Sequence, residues 1–416
     1  MPNATGPVAA VGPQYRGGVP RNVVVLGLTS FFTDISSEAL TAILPLYFVL
    51  ELRMTPVQFG LLDGLYQGAS ALVRVAGGLV TDAGRRYKLV AFLGYALSAI
   101  CKLGLLLVGS AWAPIAALLM IDRLGKGIRT APRDALITRS SEPSRLGAAF
   151  GLHRTLDTAG AALGPVVAFA VLAAAPGAYD AVFVVSLAAA LVGLAVLGLF
   201  AENHGDRPDR AAPAASARAR LGAVLARRRF LALLVTGGLL GLATASDALI
   251  YLLLQGRGTV SPTLFPLLFV GTATVYLILA LPAGRLADRW GRHRVFLAGQ
   301  GLVLGIYGLL LVADLSAAGI LACVALLGAY YAATDGVLAA LAASVLSEDQ
   351  LSTGLAIVGT TTALSRLLAS SLFGALWSWH GPTEALAVFG LGLFGAAVLA
   401  AVLLRVARPW TPATAA

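Results

Sequence analysis

The sequence predicts an all-α membrane protein: twelve transmembrane helices in two pseudo-symmetric six-helix bundles, with both termini cytoplasmic. Three observations predict it. Apolar residues run in long blocks, basic residues alternate along the chain, and the polar pattern of the first half returns in the second. Of 416 residues, 58% are hydrophobic and only 12% charged, against roughly 25% charged in soluble domains. Blocks such as LVAFLGYALSAI and AVFVVSLAAALVGLAVLGLF are apolar all round, as lipid-facing helices must be.

At about 20 residues per crossing, the first-half spans fall at 22–50, 56–80, 89–109, 112–137, 146–175 and 179–200. Those of the second half fall at 230–254, 262–283, 294–314, 317–345, 351–379 and 384–405. The N-terminal tail, 1–21, lacks the basic-then-apolar order of a signal peptide. Residues 201–229 are polar, Pro/Ala-rich and basic at their end, so they read as a cytoplasmic linker, and 406–416 as a second cytoplasmic tail.

Charge sets direction, because basic residues stay on the cytoplasmic side. With the N-terminus inside, Arg16, Arg21, Arg85, Arg86, Lys88, Arg139, Arg145, Arg289, Arg292, Arg294 and Arg408 are cytoplasmic, and only Arg53 and Arg257 are external. The halves then match. SEALTAILPLYFVLELRM opens the first and SDALIYLLLQGRG the second, with Glu38 and Asp247 in matching places. GGLVTDAGRR (77–86) and AGRLADRWGR (283–292) follow about forty residues after each.

Several classes of function are excluded. The isoelectric point near 10.0 fits cytoplasmic-loop cations and does not call for nucleic acid. Cys101 and Cys323 sit inside apolar runs and read as small buried hydrophobes, not a disulfide framework. No ATP-binding motif, redox motif or metal-ligand cluster occurs among His153, His204, His293 and His380, so the chain reads as no enzyme, with no cofactor and no metal. The lone G-K of GKGIRT is not a phosphate-cradling loop.

GRLADRWGRHR resembles the loop signature of the major facilitator superfamily, and GGLVTDAGRRYK is a weaker copy that keeps Gly78, Asp82, Arg86 and Lys88. Arg123-Leu124-Gly125-Lys126-Gly127 resembles the fourth-helix pattern of that family, with Lys where Gln is usual. Gly160-Ala161-Ala162-Leu163-Gly164-Pro165 resembles its fifth-helix G-x-x-x-G-P antiporter pattern, without the trailing glycines. The resemblance, closest to bacterial drug/metabolite:proton antiporters, implies alternating access between two bundles around a midplane site. It implies export of a small organic molecule from a bacterial cytoplasmic membrane. Protons, lipids and that solute are the expected partners, and a monomer the expected state. Uptake of an organic anion or metal–organic complex is the alternative, and a transporter-like sensor or scaffold the alternative of another class.

The resemblance makes 77–86 and 283–292 gating loops. Gly78, Asp82, Arg86, Gly284, Asp288, Arg289, Gly291 and Arg292 are their candidates, with Gly284 for close helix approach and Asp288 accepting from a neighbouring helix N-terminus. Gly160, Gly164 and Pro165 are a candidate hinge in the fifth span.

Charges inside spans cost about 2.5–3.5 kcal/mol each on insertion scales and face a partner or a cavity. Asp34 lies about 12 residues, or ~18 Å, into the first span, level with Arg123 and Asp157. The expected buried network is Asp34, Glu38, Asp122, Arg123, Arg154 and Asp157, with Asp34, Glu38 and Asp157 as proton carriers tuned by Arg123. A purely structural ion-pair network is the competing role. Lys126, Arg129 and Arg133 share one helix face, either lining the substrate path or snorkelling and pairing with Asp82 or Asp134. Asp247, Tyr330, Tyr331, Asp335 and Arg366 are the second-half cavity candidates, with Tyr–Asp hydrogen bonding and Arg366 paired to Asp335 or Asp247.

Overall fold

The computed structural model describes residues 19–81, 87–109, 111–142, 145–203, 222, 224–257, 260–311, 315–335, 337–346 and 348–406. Asp82 and Arg86 lie outside them, and Gly78 lies in a stretch described only as helix. No strand occurs among the described residues.

The first half comprises α1 (Arg21–Leu46), α2 (Pro56–Thr81), α3 (Tyr87–Leu107), α4 (Trp112–Ser140), α5 (Leu146–Ala174) and α6 (Tyr179–Phe200). The second comprises α7 (Arg228–Leu242), α8 (Asp247–Gly256), α9 (Pro266–Trp290), α10 (Arg292–Leu311), α11 (Ala317–Thr334), α12 (Val337–Ala343), α13 (Glu348–His380) and α14 (Pro382–Val406). Ten segments among the described residues are long and apolar enough to cross a membrane. The expected spans at 56–80 and 112–137 are also helical, as α2 and α4, but Asp122, Arg123, Lys126 and Arg129 keep α4 out of the apolar set.

The packing order repeats between halves. In the first, α1 packs on α5 and α6, α3 on α4 and α6, and α2 on α4. In the second, α7 packs on α13 and α14, α10 on α11 and α14, and α9 on α11. The halves meet chiefly through α2 on α13 and α5 on α9.

Two expected single spans are broken. Residues 230–254 form α7 and α8 with a non-helical step between them, and 317–345 form α11 and α12. Side chains repair the first break. The Ala245 N–H donates to the Tyr307 hydroxyl at 2.7 Å, and that hydroxyl donates to the Ala243 carbonyl at 3.1 Å. Ser246 caps α8 by accepting from the Leu249 N–H at 3.4 Å. Non-helical backbone at membrane depth survives only when its polar groups are satisfied in this way. In the first half, α1 runs on through Pro45 into a π-helical turn over Tyr47–Glu51. Proline lacks an N–H and so removes one rung of the helical ladder.

The expected 283–292 loop is mostly helix, since α9 continues to Trp290. The turn is Gly291 itself, at φ 97°, where only glycine is unstrained. Asp288 accepts from Arg292 across this turn at 3.3 Å, not from a neighbouring helix N-terminus. Open space surrounds Gly284, so the close helix approach expected there is not made. Helix α5 is continuous through Pro165, and Gly160 and Gly164 are contact points, not a break. Cβ atoms there would strike the Phe31 backbone and Glu38 of α1.

The halves are in close contact at one end. Gly60 and Gly64 of α2 lie against Gly374 and Leu367 of α13, and a Cβ at Gly60 would come within 3.0 Å of the Gly374 Cα. A Cβ at Gly284 of α9 would meet no described atom within 4 Å. Gly60→Val is therefore expected to destabilise this state by about 1–3 kcal/mol, the usual cost of overpacking, read as a lower unfolding temperature. Gly284→Ala is expected to leave it unchanged.

Candidate functional site

Helix α4 carries the charges, and the neighbouring helices supply their partners. Asp122 is 5% exposed and Lys102 of α3 only 2%. The Lys102 ammonium lies 3.2 Å from Asp122 Oδ1, and Arg123 lies 3.5 Å from Oδ2. The Arg123 guanidinium stacks 3.9 Å from the Tyr66 ring centroid of α2 and donates to the Tyr66 hydroxyl. That hydroxyl also bonds Thr41 of α1 at 2.9 Å. One carboxylate thus serves two cations, and α1 to α4 are tied together around it.

One turn further along α4, Arg129 lies 4.3 Å from the Tyr95 ring centroid and donates to the Ser98 hydroxyl at 3.2 Å. Helices α3 and α4 cross closely because Gly94 and Gly125 face each other. A Cβ at Gly125 would lie 2.8 Å from the Gly94 carbonyl.

The third group joins α1, α4 and α5. The carboxyl groups of Asp34 and Asp157 lie close to each other. Arg133 reaches Asp157 at 3.8 Å, Asp134 at 3.0 Å and the Ser30 hydroxyl at 3.3 Å. His153 meets the same hydroxyl at 3.0 Å. Arg154 lies 3.9 Å from Asp157, but its side chain is 80% exposed. It stands at the rim, not in the buried network expected of it, because a long side chain on this helix face extends to solvent.

These residues line a cavity of about 690 Å³, within the range of small-molecule sites. Asp34, Arg123, Lys126, Arg129 and Asp157 all line it. Glu38 does not. One turn from Asp34, it lines a separate cavity of about 200 Å³ with Asp63, Tyr66 and Asp247. The expected single network is thus divided among Asp122 with Lys102 and Arg123, Asp34 with Asp157 and Arg133, and Glu38.

In the second half, the Tyr331 hydroxyl donates to Asp247 Oδ1 at 2.7 Å, and Tyr330 packs on Tyr331 with centroids 5.2 Å apart. Arg366 shares a small cleft with Asp247 and both tyrosines. The Tyr331–carboxylate bond forms with Asp247 and not with Asp335, which follows the last residue of α11 and lies near Tyr276 of α9. The halves also meet in a polar contact, since the Ser370 hydroxyl of α13 donates to Asp63 of α2 at 2.8 Å.

Lys102, Asp63, Tyr66 and Tyr95 were given no part in the proton or substrate site by the sequence alone. Lys102 and Asp63 had a readable signal, a lone charge inside an apolar run. The tyrosines had none, because their role depends on which ring lies under a guanidinium.

This helical architecture and buried polar cavity are those of a multi-pass membrane transporter. The family model described as Major Facilitator Superfamily matches residues 26–258 and 242–416. An uncharacterized MFS-type transporter of Methanocaldococcus jannaschii is 30% identical over 363 residues, covering 86% of this chain and 88% of that protein. The chain belongs to the Major Facilitator Superfamily. An uncharacterized protein of Mycobacterium tuberculosis is 28% identical over 190 residues, 45% of this chain and 46% of that one. Among solved structures, a peptide transporter of the POT type superposes with a TM-score of 0.77 at 16% identity, over 95% of this chain and 96% of that one. A nucleoside transporter does so at 0.76 and 12% identity, over 92% and 99%. These likenesses establish the fold.

The shared carboxylate makes an asymmetric prediction. Asp122→Asn strands Lys102 and Arg123 without an anion, and breaking such a buried pair costs about 3–5 kcal/mol. A severe loss of folded protein is expected in size-exclusion and thermal-unfolding measurements. Lys102→Met leaves Asp122 paired with Arg123 and is expected to be much milder.

Proposed function

We propose that this protein is a proton-coupled secondary active transporter that carries a small organic molecule across the cytoplasmic membrane by alternating access. The observation that carries this reading is the close approach of the Asp34 and Asp157 carboxyls in the wall of the large cavity, near enough for one proton to be shared. Two carboxylates repel each other, and a hydrogen bond between them requires one shared proton. Loss of that proton puts a second negative charge between α1, α4 and α5, which changes the helix pairing at the site. Such a change in charge at a bistable interface is how protonation biases a conformation.

We take the fold as twelve spans in two six-helix halves joined by the 201–229 linker, with both termini cytoplasmic. The glycine-packed end then faces outward, and the large cavity, lined by Arg133, Asp134 and His153, lies towards the cytoplasm, which supports an inward-facing reading. Peptide and nucleoside transporters among the similar folds support a small organic solute. Export is the direction supported by the G-x-x-x-G-P stretch of α5. Uptake of an organic anion is the second reading, and the excess of cations around the cavity supports it. Glu38, facing the outer cavity, serves as the second acid on the proton path.

In proteoliposomes with an imposed pH gradient, substrate and protons are expected to cross together for some member of a broad solute panel. Asp34→Asn and Glu38→Gln are each expected to abolish pH-driven flux, and wild-type coupling in either variant removes that acid from the path. Absence of both flux and binding across the panel favours a sensor or scaffold instead.

A further inference from the structure

The charges around the large cavity do not balance. Arg123, Lys126, Arg129, Arg133 and Arg154 line it against Asp34, Asp134 and Asp157, five cations to three carboxylates. A proton shared by Asp34 and Asp157 lowers the negative total by one more. Arg133 is taken up by Asp134 and Asp157, and Arg123 shares Asp122 with Lys102. Lys126 and Arg129 have no carboxylate within 4.0 Å among the described residues. Arg129 is held flat on Tyr95, and Lys126 is half-buried at the cavity wall. The Arg123 Nε is buried without a hydrogen-bond partner, on a residue only 8% exposed. The cavity that Lys126 and Arg129 line can hold a ligand able to accept from their charged groups.

Asp34 is the acid whose charge state this arrangement controls. Lys126 and Arg123 act on it from α4 and Asp157 from α5, while Glu38 lies one turn along its own helix. Arg133 and His153 reach the same pair of helices one turn away, through the Ser30 hydroxyl. Lys126 also acts on Asp157, so one ammonium neutralises both members of the pair.

We infer that the cavity binds an organic anion, with its carboxylate, sulfonate or phosphoryl group held by Lys126 backed by Arg123 and Arg129, and that a proton on the Asp34–Asp157 pair releases Lys126 to hold it. When the pair is doubly charged, the field of Lys126 adds to those of Arg133 and Arg154 in balancing it. When the pair holds a proton, one negative charge is gone and the ligand's anion takes its place. Proton and anion therefore bind cooperatively, and by linkage each raises the affinity of the other. Coupling of that sign moves the two together, which favours the second reading above, uptake of an organic anion, over export by exchange. The pH dependence rests on the proton-coupling reading above. The anion site does not.

The test uses the full chain in phosphatidylcholine nanodiscs, with naphthalene-1-sulfonate as probe and naphthalene-1-sulfonamide as its neutral counterpart. The sulfonate keeps its charge from pH 5 to 9, so any pH dependence belongs to the protein. By isothermal titration calorimetry, the sulfonate is expected to bind at least ~10-fold more tightly than the sulfonamide. Lys126→Gln is expected to weaken the sulfonate by about 10- to 100-fold, the range for a charged hydrogen bond, and Lys126→Arg to retain it. Affinity is expected to rise as pH falls, by up to ~10-fold per pH unit for one linked proton. Asp34→Asn is expected to stay tight and flat with pH. Equal binding of both probes, no binding of either, full binding by Lys126→Gln or loss in Lys126→Arg overturns the anion site. A pH dependence unchanged in Asp34→Asn overturns the linkage. Binding here without proton-coupled flux in proteoliposomes keeps the anion site and removes coupled transport. Coupled flux of a neutral or cationic solute without sulfonate binding does the reverse.

Discussion

The Asp122 carboxylate, between the Lys102 ammonium and the Arg123 guanidinium, is the contact on which the charged interior depends. An ion in a low-dielectric interior must be paired or solvated by a cavity. Asp122 pairs two cations at once, and Tyr66 takes the remaining face of Arg123. With those charges held, α4 can present Lys126, Arg129 and Arg133 on successive turns to the large cavity. Without them, an α4 bearing so many cations would have no stable place among apolar helices.

Geometry then decides where the opening lies. Glycines bring α2 against α13 at one end of the molecule, α1 against α5 along the cavity wall, and α3 against α4 beneath Arg129. The broken span between α7 and α8 adds a second polar locus, where Tyr307 satisfies the freed backbone and Asp247 meets Tyr331.

Much of this was legible beforehand. Apolar blocks located the helices, since few other structures suit such composition, and Ser246-Asp247 carried the capping signal of α8 even though a single span was expected there. Charges inside apolar runs marked Asp34, Asp122, Arg123 and Asp157 as residues needing partners. The partners themselves were legible only in part. Arg154, three residues from Asp157, looked like its buried mate, yet Arg133 from another helix reaches as close and is far less exposed. Helical spacing identifies which residues share a face but not which face meets a neighbour. Glu38 and Asp34 lie one turn apart on one helix yet open into different cavities, because the neighbours of α1 change along its length.

The sequence by itself determined the class of molecule, the helical segments and the set of buried charges. Hydrophobic run length and the cost of a charge in an apolar layer are local properties of the chain. Tertiary structure alone decided that Lys102 belongs to Asp122, that Asp34 and Asp157 come together, and that Lys126 is left facing the cavity. Those facts depend on distances between helices that are far apart in sequence, and electrostatic pairing in a low-dielectric interior is governed by such distances.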